Sequence, residues 1–412
     1  MNPDTPMTPR AAWMLMLAAA AILMITMGAR LTNGLFLSPI NTATGLGIAK
    51  ISLAMAIGQF MWGLAQPVFG AMADKWGSSK VIVLGALMLA AGTALTPFAG
   101  TQWSLIMCMG VLSAAGAGAG SFSILIGATA QRLPAARRPF AAGFINAGGS
   151  LGQFVFAPLM QAIINSAGWV VAMLTMAATT LLTIPLAWPL RRAAGLKAAA
   201  PAVQPPGIGL VAQIKIAMRD PSYLFLHAGF FTCGFHIAFL VTHLPGEVAL
   251  CNLSPSVSAT ALALIGLFNI VGSLSMGALS SRYRMKSLLA LLYASRAVII
   301  VLYLLAPKTA LTFYVFAAAL GATWLATVPP TAGLVGKLFG VRYLSTLFGL
   351  TLLSHQTGAF FGAWLGGLSF VTYGDYSWMW YADIALAIAA ALINLPIREA
   401  HVVRMPAGLA KA

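Results

Sequence analysis

Gly70-Ala-Met-Ala-Asp74-Lys75-Trp-Gly77-Ser-Ser-Lys80 is a short polar break between two long apolar runs, and Gly277-Ala-Leu-Ser-Ser281-Arg282-Tyr-Arg284-Met-Lys286 is a second break of the same kind. Each flanking run is about 20 residues long, the length an α-helix needs to cross a bilayer. Extending this reading outward gives twelve runs, near 13–37, 51–72, 80–99, 103–126, 140–164, 168–190, 222–245, 257–279, 287–306, 311–332, 345–370 and 376–397. Composition agrees: of 412 residues 60% are hydrophobic and 7% charged, where a soluble domain carries about 25% charged residues. A chain with so few charges cannot cover a water-facing surface. Only helices and closed barrels satisfy their backbone polar groups in lipid, and runs of this length point to helices. The expected fold class is an all-α polytopic membrane protein.

The placement of charge then sets the orientation. A net charge of +16 with 23 Lys and Arg would suit nucleic acid if the cations were gathered in an aqueous domain. They are not: Lys50 and Lys308 lie in loops of one face, Arg30 and Arg296 lie inside spans, and all the others lie on the face that carries both termini. The positive-inside rule puts that face in the cytoplasm, which makes the chain a multi-pass membrane protein in contact with lipid, with both termini cytoplasmic, and speaks against nucleic acid as a partner. The first apolar run outlasts a signal-peptide core and reads as a retained helix. Cys108, Cys233 and Cys251 are scattered, with neither a disulfide framework nor a metal-ligand spacing.

Residues 191–220 carry five cations together with Pro201, Pro205, Pro206 and Gly207, and form the one long loop of the cation-rich face. Such a loop usually joins units. The expected organisation is a six-helix bundle over 1–190, a linker over 191–220 and a second six-helix bundle over 221–412. The two polar breaks occupy equivalent places in these halves, with Ser281 where the first has Asp74. The first break matches the pattern G-x-x-x-D-[RK]-x-G-x-x-[RK]. With the twelve spans and the long central loop, it makes the whole chain resemble the major facilitator superfamily, whose members fold as two six-helix bundles around a central cavity. Three stretches resemble bacterial monocarboxylate-porter-like members: Gly28-Ala-Arg30-Leu-Thr-Asn33-Gly34-Leu-Phe-Leu-Ser-Pro39, Gly148-Gly149-Ser-Leu-Gly152-Gln153 with Pro158, and Leu353-Ser-His355-Gln356-Thr-Gly358.

The resemblance implies that the bundles rock about a site near mid-membrane, with helices one, four, seven and ten lining the cavity and three, six, nine and twelve outside. It also implies a conformational latch of Gly70, Asp74, Lys75, Gly77 and Lys80. In that latch the Asp74 carboxylate sits at a helix N-terminus across the bundle interface, with the two lysines in support.

Arg30 is the sharpest candidate for solute binding. It lies roughly 8 Å beyond the middle of helix one at 1.5 Å per residue, where a charge costs up to about 3 kcal/mol. A guanidinium held there faces a ligand or snorkels to the outer interface. Its planar fork suits a carboxylate, and Asn33, three residues on, puts an amide on the same face. On helix seven His236 and His243 share a face and His227 points away; His236 reads as a solute contact, a proton carrier or a hydrogen-bonded interhelical histidine. His355 reads as a solute contact or part of an interhelical polar cluster. Gln59 with Gln66, and Asn146 with Gln153, are seven residues apart on one face of their helices, as cavity-wall amides or interhelical hydrogen bonds. Trp324, Thr327 and Thr331 surround Pro329-Pro330, which bends helix ten and suggests a gate. Arg296 reads as packing against its own half, and Asp383, a carboxylate inside a span on a peripheral helix, as a minor candidate for proton coupling. Gly116, Gly118 and Gly120 follow no strand, so they read as close helix contacts and not as a dinucleotide loop.

These residues predict a secondary transporter, without cofactor and monomeric, for a small organic anion such as a monocarboxylate, working by proton symport or by anion exchange. The alternative is a gradient-driven exporter of amphipathic compounds. A sensor on the same fold is a further class. An enzyme is not expected, since no aqueous segment carries a nucleophile–base pair, a metal cluster or a nucleotide loop.

Overall fold

Twelve long helices account for the apolar runs. The computed structural model describes residues 8–191 and 208–400; Arg192, Lys197, Pro201, Pro205, Pro206, Gly207, Arg404 and Lys411 lie outside the described residues. The helices are α1 Pro9–Leu31, α2 Ile48–Trp76, α3 Ser78–Leu95, α4 Gln102–Ala130, α5 Arg138–Ala167, α6 Trp169–Leu186, α7 Pro221–Leu250, α8 Pro255–Leu279, α9 Met285–Leu305, α10 Ala310–Phe339, α11 Leu344–Tyr373 and α12 Ser377–Asn394. Ten are long and apolar enough to cross a membrane by length and composition, and α2 and α11, of 29 and 30 residues, complete the set. No strand occurs among the described residues. Part of the expected linker is itself helical: Leu210–Ala217 leads to Asp220, whose carboxylate caps α7 by accepting from Ser222 N at 2.9 Å.

Small residues set the spacing of the helices, because lipid supplies no hydrophobic drive between them and close backbone approach must do the work. On α5, a Cβ at Gly148 would lie 2.6 Å from the Ala20 carbonyl oxygen and one at Gly152 would lie 2.1 Å from that of Met24, so α5 rides directly on α1. Gly116 of α4 meets the Leu89 backbone of α3 in the same way. Across the halves, α2 packs on α11 and α5 packs on α8. These two seams are equivalent, and each is built on a glycine of the polar breaks. Gly70 abuts Ser345 of α11, and Gly277 abuts Gly143 of α5.

The interruptions fall mainly in the helices expected to line the cavity. The α-helix of α1 ends at Leu31 and continues as a 3-10 turn over Asn33–Phe36. A π-helical stretch over Ile106–Ser113 and a break at Gly120 and Ser121 interrupt α4, and Thr26 of α1 donates to the freed Gly120 carbonyl at 2.8 Å. The bend expected at Pro329-Pro330 is a break placed earlier, at residues 324–327, between the segments Ala310–Thr323 and Val328–Phe339. Neither proline has an N–H to offer the preceding turn. Irregular backbone at membrane depth persists only where protein or a water-filled cavity surrounds it.

Candidate functional site

The cation-rich face is closed between the halves. At the end of α2, Asp74 Oδ2 accepts from Thr346 N at 2.9 Å and Thr346 Oγ1 at 2.7 Å, in the first turn of α11. Gln131 donates to Asp74 Oδ1 and to the Arg342 carbonyl, both at 3.3 Å. The carboxylate therefore meets the positive end of the α11 dipole. Gly77, at φ +99°, turns the chain from α2 into α3, a conformation that a side chain resists. The lysines stand apart from this arrangement: Lys75 lies 5.7 Å over the ring of its neighbour Trp76, and both Lys75 and Lys80 are exposed. Ser281, in the equivalent place, is exposed and donates only to Gly277 O at 3.5 Å.

Further along the same seam, contacts between the halves continue. Along one face of α5, Asn146 is buried and reaches the other half, donating to Ser273 Oγ at 2.6 Å and Leu325 O at 2.9 Å. Ser150 accepts from Asn269 of α8 at 2.6 Å. Gln153, one turn further out, is exposed.

Arg30 and Gln59 occupy the same outer region. Arg30 is half-buried, donates from Nη2 to Gln59 Oε1, and lies 4.0 Å over the Trp62 ring. Among the described residues no carboxylate lies within ion-pair distance of it. Asn33 does not continue a helix beside the guanidinium as the spacing suggested; it opens the 3-10 turn and is half-buried. Trp62 was missed in the sequence, although its position three residues after Gln59 puts it on the same helical face. Gln66 instead accepts from Ser121 Oγ at 3.0 Å, tying α2 to the break in α4.

The histidines separate. His227 shares a hydrogen bond with Ser354 at 2.7 Å, and His243 donates to Ala363 O at 2.8 Å. His236 is fully buried, and its Nδ1 donates to Asp383 Oδ2; in this conformation it has no access to solute, so it is an interhelical partner here and not an exposed wall residue. His355 is buried against Phe230, with ring centroids 5.1 Å apart, and accepts from Gln356 Nε2 at 3.3 Å. Gln356 packs over Gly63 of α2, so this polar pair sits where the halves meet.

Trp324 is buried at the α10 break, which is fastened from several helices. Arg296 donates to Thr323 O at 2.8 Å and Trp324 O at 3.1 Å, Cys233 donates to Trp324 O at 3.7 Å, and Asn269 accepts from Leu325 N at 3.0 Å. Asn146 takes the Leu325 carbonyl, the one Pro329 cannot satisfy. A cleft of about 520 Å³ opens elsewhere, between α7, α11 and α12, lined by His227, Phe231, Ser354 and Leu386 among others, and holds none of the expected site residues.

Residues 18–363 match the family model described as Major Facilitator Superfamily. The chain is 28% identical over 399 residues to Monocarboxylate transporter 13 of Bos taurus, covering 93% of this chain and 89% of the relative. It is 23% identical over 396 residues to the Oxalate:formate antiporter of Oxalobacter formigenes, covering 93% and 91%. Among solved structures, the proton:xylose symporter XylE superposes with a TM-score of 0.74 at 13% identity, covering 95% of this chain and 96% of that one. The E. coli fucose:proton symporter FucP superposes at 0.70 and 13%, covering 93% and 99%.

Proposed function

Because the chain belongs to the Major Facilitator Superfamily, we propose that it carries a small organic anion, a monocarboxylate, across the bacterial inner membrane by alternating access, with Arg30 binding the carboxylate. The observation that carries this reading is a half-buried guanidinium with an amide and an indole as its partners and no carboxylate among the described residues to neutralise it. The Trp62 face supports the cation without satisfying its donors, so donors remain for a bidentate anion. The names of the curated relatives, a monocarboxylate transporter and an oxalate:formate antiporter, support the solute class. With the cation-rich face in the cytoplasm, seams closed at Asp74 and Gly277 describe an outward-facing state, and solute meets Arg30 from the outside. The chain acts as a monomer, by proton symport or by exchange.

The test is uptake of labelled carboxylates into proteoliposomes, with and without an imposed pH gradient, comparing the parent with Arg30→Ala and Arg30→Lys. Removing one partner of a desolvated charge pair costs on the order of 2–5 kcal/mol, so Arg30→Ala is expected to abolish saturable uptake. Arg30→Lys, which keeps the charge and loses the fork, is expected to raise KM. Carboxylate flux indifferent to both changes would remove Arg30 from the site and favour an exporter of amphipathic compounds.

A further inference from the structure

Behind the α10 break lies a cluster of ionisable side chains that anion recognition at Arg30 does not use. His236 of α7, Arg296 of α9 and Asp383 of α12 are each 0% exposed. His236 Nδ1 donates to Asp383 Oδ2, and the His236 ring packs 5.8 Å from Trp324. Arg296 spends Nη2 on the Thr323 and Trp324 carbonyls. His236 Nε2, Asp383 Oδ1 and Arg296 Nε and Nη1 have no partner among the described residues.

The other titratable groups facing this cluster are few. From α9, Tyr293 lies under Arg296 at 5.4 Å and donates to Gly229 O at 2.6 Å. From α7, Cys233 meets Trp324 O and Thr327. From α11, His355 lies within electrostatic reach of both Arg296 and Arg30. The break in α10 offers uncharged Thr323, Trp324 and Thr327, and α8 offers Asn269.

Charge counting gives this arrangement its meaning. Arg296 and Asp383 cancel while His236 is neutral, and one further proton leaves a net positive charge in a site sealed from water. An uncompensated buried charge costs several kcal/mol, so a protonated cluster cannot keep this packing. Trp324 joins the pair to Arg296, since it packs against the His236 ring while its carbonyl accepts from Arg296, and what Arg296 holds is the α10 break. That same break is held from the opposite half by Asn146 on Leu325 O, so a shift of Arg296 reaches the seam between the bundles.

We propose that the buried His236–Asp383 pair is a proton-binding site that couples solute movement to the proton gradient, with Arg296 relaying its charge to the α10 break. This rests on the transporter reading above and selects symport over exchange. One proton enters from the outer side, bonds to His236 Nε2 or Asp383 Oδ1, and leaves as the same proton on the cation-rich side once the halves have rocked. No other bond forms or breaks. The closed cation-rich face described above belongs to the form without the extra proton.

The test uses full-length protein in proteoliposomes and four probes, lactate, pyruvate, formate and oxalate. For the parent, Asp383→Asn and His236→Gln, uptake driven by an imposed pH gradient is divided by the rate of labelled-for-unlabelled exchange of the same solute. Exchange needs no net proton movement, so the ratio is expected to fall at least about tenfold in both variants, the scale of a typical coupling energy. A ratio equal to the parent's overturns the proposal. A second readout needs no solute: spin labels on Lys80→Cys and Tyr283→Cys report the opening of the cation-rich face, and acidification is expected to shift their distance distribution in the parent but not in Asp383→Asn. A parent indifferent to pH, or an Asp383→Asn variant that responds like it, overturns the proposal. Asp383→Glu, which keeps a titratable carboxyl, is expected to restore the response if Asp383→Asn folds poorly, and a Glu variant without response counts against the site. If none of the four solutes moves in the parent while the labels respond to pH, the carboxylate reading fails and the proton site stands.

Discussion

Gly70→Ala should open the cation-rich face. The added Cβ would lie 2.6 Å from the Ser345 carbonyl oxygen, 2.8 Å from its carbon and 3.0 Å from Thr346 Cα. All three are backbone atoms of α11, so no side chain can swing away and the two helices must part by about 1 Å to reach ordinary contact. The same displacement carries Thr346 away from Asp74, whose bonds of 2.9 and 2.7 Å would pass the outer limit of about 3.2 Å for a sound hydrogen bond. Overpacking of this kind costs about 1–3 kcal/mol. Because the strain exists only while the seam is closed, it acts on the conformational equilibrium and should shift it by about 5- to 150-fold toward the open form. Pulsed electron spin resonance between labels at Lys80→Cys and Tyr283→Cys, with Cys108, Cys233 and Cys251 replaced by Ser, would show a longer-distance population. Gly100→Ala, where nothing lies within 4 Å, is the control. A Gly70→Ala distribution matching the parent would refute the reasoning, since it would mean that the α2–α11 seam absorbs the methyl without moving.

Asn146→Ala removes the side-chain donor to Ser273 Oγ and leaves the Leu325 carbonyl with the Val328 N–H alone, and should lower stability by about 0.5–1.5 kcal/mol, read as a lower melting temperature of the purified protein; an unchanged melt would mean that Asn146 contributes little at the break. Gly152→Val should prevent proper docking of α5 on α1, because the Cβ alone would fall 2.1 Å from the Met24 carbonyl oxygen; gel filtration of the solubilised variant would show loss of the monodisperse species, whereas Gly34→Ala, in open space, should behave as the parent. Lys337→Met breaks an ion pair with Glu399 at 3.2 Å whose lysine is 44% exposed, and should change the melting temperature hardly at all, since such pairs contribute about 0–1 kcal/mol.

The latch and the cluster differ in how far they could be read from the chain. The acid of the Gly70–Lys80 break stands out because polar residues between two apolar runs are conspicuous, yet nothing local says that its acceptor site is filled by Thr346, 272 residues away. Arg30 was conspicuous as a charge inside a span, while Trp62, which supports it, looked like one more apolar residue. Asp383 reads as a carboxylate on a peripheral helix and Arg296 as packing in its own half, but nothing local shows that Asp383 meets His236 or that Arg296 reaches the α10 carbonyls. The break in α10 was expected at Pro329-Pro330 and lies upstream at residues 324–327, because a missing N–H is felt by the carbonyl of the preceding turn.

The sequence by itself determined the apolar spans and the family. These follow from transfer energies and charge counts that accumulate residue by residue along the chain and need no partner to evaluate. Only the tertiary structure decided which polar side chains meet. A helix buried among others presents every face to some neighbour, and its rotation is set by backbone contacts such as Gly148 on Ala20 and Gly70 on Ser345. Those contacts bring His236 to Asp383 across 147 residues and bring Arg296 under the carbonyls that the broken helix leaves free.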